Sequence, residues 1–253
     1  MLPEVFSDDE LDPVIDACDR LEARTDEFLA SRDDGRFSIA DHGAITFSLF
    51  PVLTDDAARR FAVHPVFVDL CHDLIGHDVR LYHDQAVYKK TEKPRRFPWH
   101  QDNGYTFVEP QQYLTCWVAL TDATVDNGCP QVVPGLHRAG TLAHHDADPL
   151  GWEIFEEHPD AVAAPVDKGG IVVFSSLTPH LTGPNATEAV RKAYILQYAP
   201  AGAETLQGEP NGDGTPLRAF ADDPDRQFPV LLGGEPVAVP GGRDESSVPR
   251  LDE

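Results

Sequence analysis

Positive charge is scarce in this chain. Its 253 residues carry 20 lysines and arginines against 43 aspartates and glutamates, a formal net charge of -23. Only five of the cations are lysines. Such an acidic surface repels a phosphate backbone or an anionic lipid sheet, so no nucleic-acid partner and no membrane partner are expected. Long apolar runs are also missing. No stretch reaches the roughly 18 apolar residues that a spanning helix needs. The opening "MLPEVFSDDELDPVID" has neither the basic start nor the apolar middle of a secretory signal. Cysteine is sparse, with Cys18, Cys71, Cys116 and Cys129 scattered and no C-x-x-C pair. Buried free thiols in a reducing compartment, the cytoplasm, are the expectation.

What is present is an ordinary apolar content of 41%, enough to build one large core. Residues 7 to 31 have the pattern of a helix: Ser7 or Asp8 can cap it, and Leu11, Val14, Ile15, Cys18 and Leu21 recur at three- and four-residue steps. A strand is expected at 44 to 50 and a second helix at 64 to 76, ended by Gly76. The chain then turns to strands, at 79–89, 98–108, 113–123, 129–135, 169–176 and 190–200, separated by turn signals such as Asp126-Asn127-Gly128 and Gly183-Pro184-Asn185. Many short strands with helices at the front predict a mainly β sandwich or barrel with helical cladding. From about 201 the composition shifts to Gly, Pro and Asp. Residues 1–200 therefore read as one domain and 201–253 as an extension, ordered only where "QFPVLLGG" (227 to 234) docks.

The segment "FPWHQDNGY" (97 to 105) contains a His-x-Asp pair, His100 and Asp102. The pair alone is weak, because His144/Asp146 and His158/Asp160 repeat it. Context separates them. Residues two apart on a strand point to one face, whereas 141–162 is acidic and loop-like, with His144, His145 and His158 expected at the surface. A strand-end pair that merely hydrogen-bonds stays open for His100 and Asp102. Downstream, a Val/Ile/Phe strand leads to His180, and the next strand carries Arg191. Two imidazoles and a carboxylate can form the facial triad that holds a non-haem iron with open positions. An arginine fork nearby suits the far carboxylate of an oxo acid.

The segments "WHQDNGY", "DNGCPQVVPGLHR", "KGGIVVFSSLTPHLTGPN" and "VRKAYILQY" follow one another in order over roughly residues 64 to 200. Together they resemble the phytanoyl-CoA dioxygenase (PhyH) family of Fe(II)/2-oxoglutarate-dependent oxygenases. The resemblance implies a double-stranded β-helix, a cupin-like jelly roll. It implies Fe(II) held by His100, Asp102 and His180, with 2-oxoglutarate and O2 as co-substrates. It further implies that Arg191 pairs with the C5 carboxylate of 2-oxoglutarate, that Thr182 adds a hydroxyl there, and that Trp117 and Lys89 border the same pocket. Lys90 stands where the family commonly has proline, and competes with Lys89 for that place. An intact Asp102 implies hydroxylation of an aliphatic C–H in a small molecule over halogenation, with desaturation, ring closure and epimerisation left open. A jelly-roll binding protein without catalysis, or a cupin-like Zn or Mn isomerase or hydrolase, is the alternative. Lys93, Arg95 and Arg96 precede the metal motif and could form a basic lip for an anionic substrate. Gln101, Asn103 and Tyr105 could also face it, and 144–160 is a candidate lid.

Overall fold

Alternation along the long strands decides the architecture. The computed structural model describes residues 1–207 and 215–238. Four helices lie in the first 74 residues: α1 (Asp8–Ala30), α2 (Pro51–Thr54), α3 (Asp56–Ala62) and α4 (Pro65–Leu74). The strands that build the site are β1 (Ile45–Leu49), β2 (Val79–Lys89), β3 (Phe97–His100), β4 (Leu114–Ala119), β5 (Pro130–Val132), β6 (Val162–Ala163), β7 (Ile171–Ser175), β8 (His180–Thr182) and β9 (Arg191–Pro200). The larger sheet runs Arg36–Phe37, Ala40–Asp41, β1, β2, β9, β4, β7, all antiparallel. The smaller sheet runs β6, β5, β8, β3. The two form the sandwich of a jelly roll.

Each strand of the larger sheet sends alternate residues to opposite sides. Ala86, Tyr88, Cys116, Val118, Tyr194 and Leu196 face outward and join a core with Val14, Cys18, Phe61 and Phe67 of the helices. Val87, Trp117, Val172, Ala193 and Ile195 face inward toward the smaller sheet. Helix α1 is held at its start by the Ser7 N–H, which donates to Glu10 Oε2 at 2.8 Å, and it buries the stripe Leu11, Val14, Cys18, Leu21. All four cysteines are buried and free. No helix among the described residues is long and apolar enough to cross a membrane.

Two expectations change. The strand foreseen at 98–108 stops at His100, and Asp102–Tyr105 is a single helical turn. The Gly/Pro-rich segment is also more structured than foreseen. Glu204–Gln207 pairs with both Leu217–Phe220 and Val108–Glu109. Pro229–Leu232 docks on β2 as its apolar pattern suggests, with Phe228, Val230 and Leu231 buried. Residues 208–214 and 239–253 of that segment lie outside the described residues.

Candidate metal centre and its cavity

His100 ends β3 and His180 begins β8, and the two are paired across the smaller sheet. Their ring centroids are 4.1 Å apart. Nδ1 of His100 lies 2.8 Å from the Pro98 carbonyl, and Nδ1 of His180 lies 2.9 Å from that of Thr178. A carbonyl can only accept, so each Nδ1 carries a proton, which leaves each Nε2 as the nitrogen available to a metal. Burial also holds the His100 imidazole well below its ordinary pKa, so it is neutral at pH 7. Asp102 Oδ1 sits 3.9 Å from His100 Nε2 and 3.7 Å from His180 Nε2. These ligand atoms all fall within 4.8 Å of one another. Two imidazoles and one carboxylate are the donor set of a non-haem divalent metal site.

The Asp102 carboxylate arrives by a different route from the one its spacing suggests. The chain leaves the strand after His100 and coils from Asp102, which turns Asp102 back toward His100. Its second oxygen is held from β4, where Thr115 Oγ1 donates to Oδ2 at 2.6 Å. All three side chains are thus oriented by a second contact, a common requirement for a tight metal site. Thr115 was not foreseen. It lies two residues before Trp117 on one strand, so it shares that residue's inward face.

The triad opens into a cavity of about 480 Å³, counted out to its mouth, between the two sheets. Thr182, Trp117, Ile195 and Arg191 line it beyond the metal ligands. Arg191 is fully buried, and none of its three guanidinium nitrogens has a hydrogen-bond partner among the described residues. Its Cζ lies 5.1 Å from the Trp117 ring centroid. Burial pushes its pKa down to about 9, so it remains charged at pH 7. A sealed, charged fork without a partner is costly unless a carboxylate enters to meet it. The donor set and this orphaned guanidinium together fit a metal with a bound dicarboxylate.

Lys89 pairs with Arg191 in register and is fully buried. Its Nζ donates to the carbonyls of Arg95 (2.8 Å) and Thr182 (3.2 Å), and burial and the two arginines hold its pKa well below the ordinary value. Lys90 faces the other way, with Nζ 2.5 Å from Glu22 of α1. Of the two lysines, Lys89 is the one beside the cavity.

Other expectations need correction. Gln101 does not face a substrate: it is fully buried, with Nε2 donating to the Gly140 and Leu177 carbonyls at 2.9 and 2.6 Å and Oε1 accepting the Leu142 N–H. Asn103 is likewise buried and clamped, to Thr141 Oγ1 and the Val108 N–H. Each cation of the basic lip already has a carboxylate partner, one carboxylate being shared by two of them. Arg95 meets Asp41 at 3.1 Å, Lys93 meets the same carboxylate at 3.0 Å, and Arg96 is paired with Glu153. His144 is half-buried rather than solvated, and its Nε2 accepts the Gln101 N–H at 3.0 Å. Its ring lies so close over Gly104 that any Cβ there would collide with it. Tyr105 does line the cavity system, stacked on Phe97 at 6.0 Å.

The family model for phytanoyl-CoA dioxygenase (PhyH) matches residues 1–193. A probable phytanoyl-CoA dioxygenase of Caenorhabditis elegans is 27% identical over 184 residues, which is 67% of this chain and 58% of that protein. The peroxisomal phytanoyl-CoA dioxygenase of Homo sapiens is 29% identical over 160 residues, 58% of this chain and 47% of that protein. The chain therefore spans about half the length of these curated relatives. Among solved structures, EvdO2 of Micromonospora carbonacea var. aurantiaca, complexed with 2-oxoglutarate, superposes with a TM-score of 0.60 at 26% identity, covering 84% of this chain and 90% of that one.

Proposed function

The chain belongs to the phytanoyl-CoA dioxygenase family, and on that premise we propose that it is a non-haem Fe(II)/2-oxoglutarate-dependent dioxygenase that hydroxylates an aliphatic C–H of a small molecule. The observation that carries this reading is Arg191, a buried guanidinium without a hydrogen-bond partner among the described residues, in the same cavity as His100, Asp102 and His180. In this reading the three residues hold the iron through the two Nε2 atoms and Asp102 Oδ1. Arg191 and the Thr182 hydroxyl receive the C5 carboxylate of 2-oxoglutarate, and Lys89 stands behind them with its Nζ on the Arg95 and Thr182 carbonyls. Trp117 supplies a flat wall under the guanidinium, where a cation is attracted to the ring face.

When bound, the iron supplies O2 activation coupled to oxidative decarboxylation of the oxo acid. The protein keeps the reacting centre dry: Phe97, Phe174, Ile195 and Trp117 surround it with apolar surface. Thr115 holds Asp102 Oδ2, which favours one-oxygen coordination and leaves room for the co-substrates. Asp102 keeps the carboxylate that a halide would have to displace, which supports hydroxylation. Residues 1–200 carry this chemistry, with 201–253 as an extension. The four free cysteines suit a reducing compartment, the cytoplasm. An anionic substrate loses its main support, because each cation of the expected lip is already paired.

The test is anaerobic titration of the protein with Fe(II) and 2-oxoglutarate. A weak visible metal-to-ligand charge-transfer band should grow to one equivalent and be absent in His180→Ala. No band with the intact protein would overturn the reading.

A further inference from the structure

A second lobe, about 560 Å³ out to its mouth, meets the first at His100 and Asp102. Five aromatic rings wall it: Phe47, Phe97, Tyr82, Tyr105 and Tyr113. Four uncharged polar groups complete the wall, from His83, Gln85, Thr106 and Gln197. No lysine or arginine is among the described residues that line it. Its charged member is Asp102.

We propose that this lobe takes an uncharged, ring-bearing part of the primary substrate, carrying hydroxyl or carbonyl groups. The inference rests on the oxygenase reading for which end of the lobe the chemistry occupies. Flat aromatic walls favour a ring laid against them by offset or edge-on contact. The glutamine amides and the imidazole can each donate and accept, so they suit hydroxyls and carbonyls. His83 is held neutral by burial, with its pKa lowered to about 4. A phosphate or carboxylate in the same space would lose its water and gain no cation. Even with a divalent metal and the dianionic 2-oxoglutarate in place, Asp102 leaves the floor of the lobe with no excess of positive charge. Desolvating an unpaired anion there costs several kcal/mol. A charged end of the substrate would have to stay outside the mouth.

A matched pair of probes tests this in the full chain. 2-Naphthol is uncharged at pH 7, and 2-naphthoate presents the same rings with an anion. Both are titrated under argon into protein loaded with Mn(II) and 2-oxoglutarate, which keeps the Arg191 lobe filled. Broadening of the probe's proton signals by Mn(II) reports binding beside the metal. 2-Naphthol should broaden at a Kd at least ~10-fold below that of 2-naphthoate, the factor that 1.4 kcal/mol of unpaired charge produces. Tyr113→Ala should weaken 2-naphthol, and Gln197→Lys should move the preference toward 2-naphthoate. Equal or tighter binding of 2-naphthoate to the unaltered protein would overturn the proposal, as would millimolar probe with no broadening. Calorimetry of 2-oxoglutarate in the same samples separates the two readings. Its failure to bind strikes the oxygenase assignment, whereas a missing naphthol preference strikes the substrate class alone.

Discussion

Arg191 and Asp84 stand on neighbouring strands, β9 and β2, both fully buried, and they face opposite sides of one sheet. Asp84 points toward the helices. Its Oδ2 accepts the Tyr194 O–H at 2.8 Å and the Val52 N–H at 3.1 Å, and burial raises its pKa to about 7. A carboxyl can shed its charge by taking a proton, so this side of the sheet settles its own electrostatics. A guanidinium has no such exit near neutral pH, and Arg191 has no internal partner among the described residues. The outward face can therefore neutralise its own charge, although Asp84 Oδ1 has no hydrogen-bond partner among the described residues, whereas the inward face asks for something from outside. Burial alone does not mark a site; burial without any means of neutralisation does.

That contrast predicts opposite behaviour from substitutions on the two faces. Arg191→Met should cost the most in binding and nothing in stability. Removing one member of a buried ion pair typically loses 2–5 kcal/mol, so 2-oxoglutarate should bind at least about 30-fold more weakly by calorimetry. The metal-free variant should melt no lower than the parent, since an uncompensated buried charge has gone. Thr115→Val should be next. It frees Asp102 Oδ2, and loss of such a supporting contact lowers metal affinity about 10- to 100-fold. Mn(II) titration followed by electron paramagnetic resonance would show it, with the melting temperature little changed.

The outward face should answer through stability and leave ligand binding alone. The raised pKa of Asp84 means the folded protein holds a proton that the unfolded chain releases nearer 3.8. Its contribution is full below that lower value and fades as pH rises toward 7, on the order of a few kcal/mol at most. In Asp84→Asn that loss between pH 5 and 7.5 should vanish from the melting temperatures of the metal-free protein. Tyr194→Phe should have the smallest effect, about 1 kcal/mol, and more at pH 8 than at pH 5 because a charged acceptor needs the donor more. A change in 2-oxoglutarate affinity in either variant would break the separation between the faces.

The long strands were legible because the larger sheet is buried on both sides yet divided in character by alternation. Alternation along 190–200 puts Arg191 on one face with Ala193, Ile195 and Gln197, and Arg191, Ile195 and Gln197 do line the cavities. The helices were legible from their stripes. The coil after Gln101 was not, because it depends on carbonyls at Gly140 and Leu177, 39 and 76 residues away, that no local pattern reveals. The same distance hid the clamping of Asn103, the burial of His144 and the pairing of Arg96 with Glu153. Thr115 was within reach of the alternation rule, since its strand partner Trp117 was already placed inward. The pairing of Glu204–Gln207 escaped because a polar edge ribbon carries almost no apolar period.

The central claim is that Arg191 awaits a carboxylate on a metal-bound oxo acid. It is tested most directly by comparing 2-oxoglutarate with 2-oxopentanoate, which keeps the chelating end and replaces the C5 carboxylate with a methyl group. With Mn(II) bound and oxygen excluded, 2-oxoglutarate should bind at least about 30-fold more tightly, and Arg191→Met should erase the difference. Equal affinities for the two acids in the unaltered protein would contradict the account.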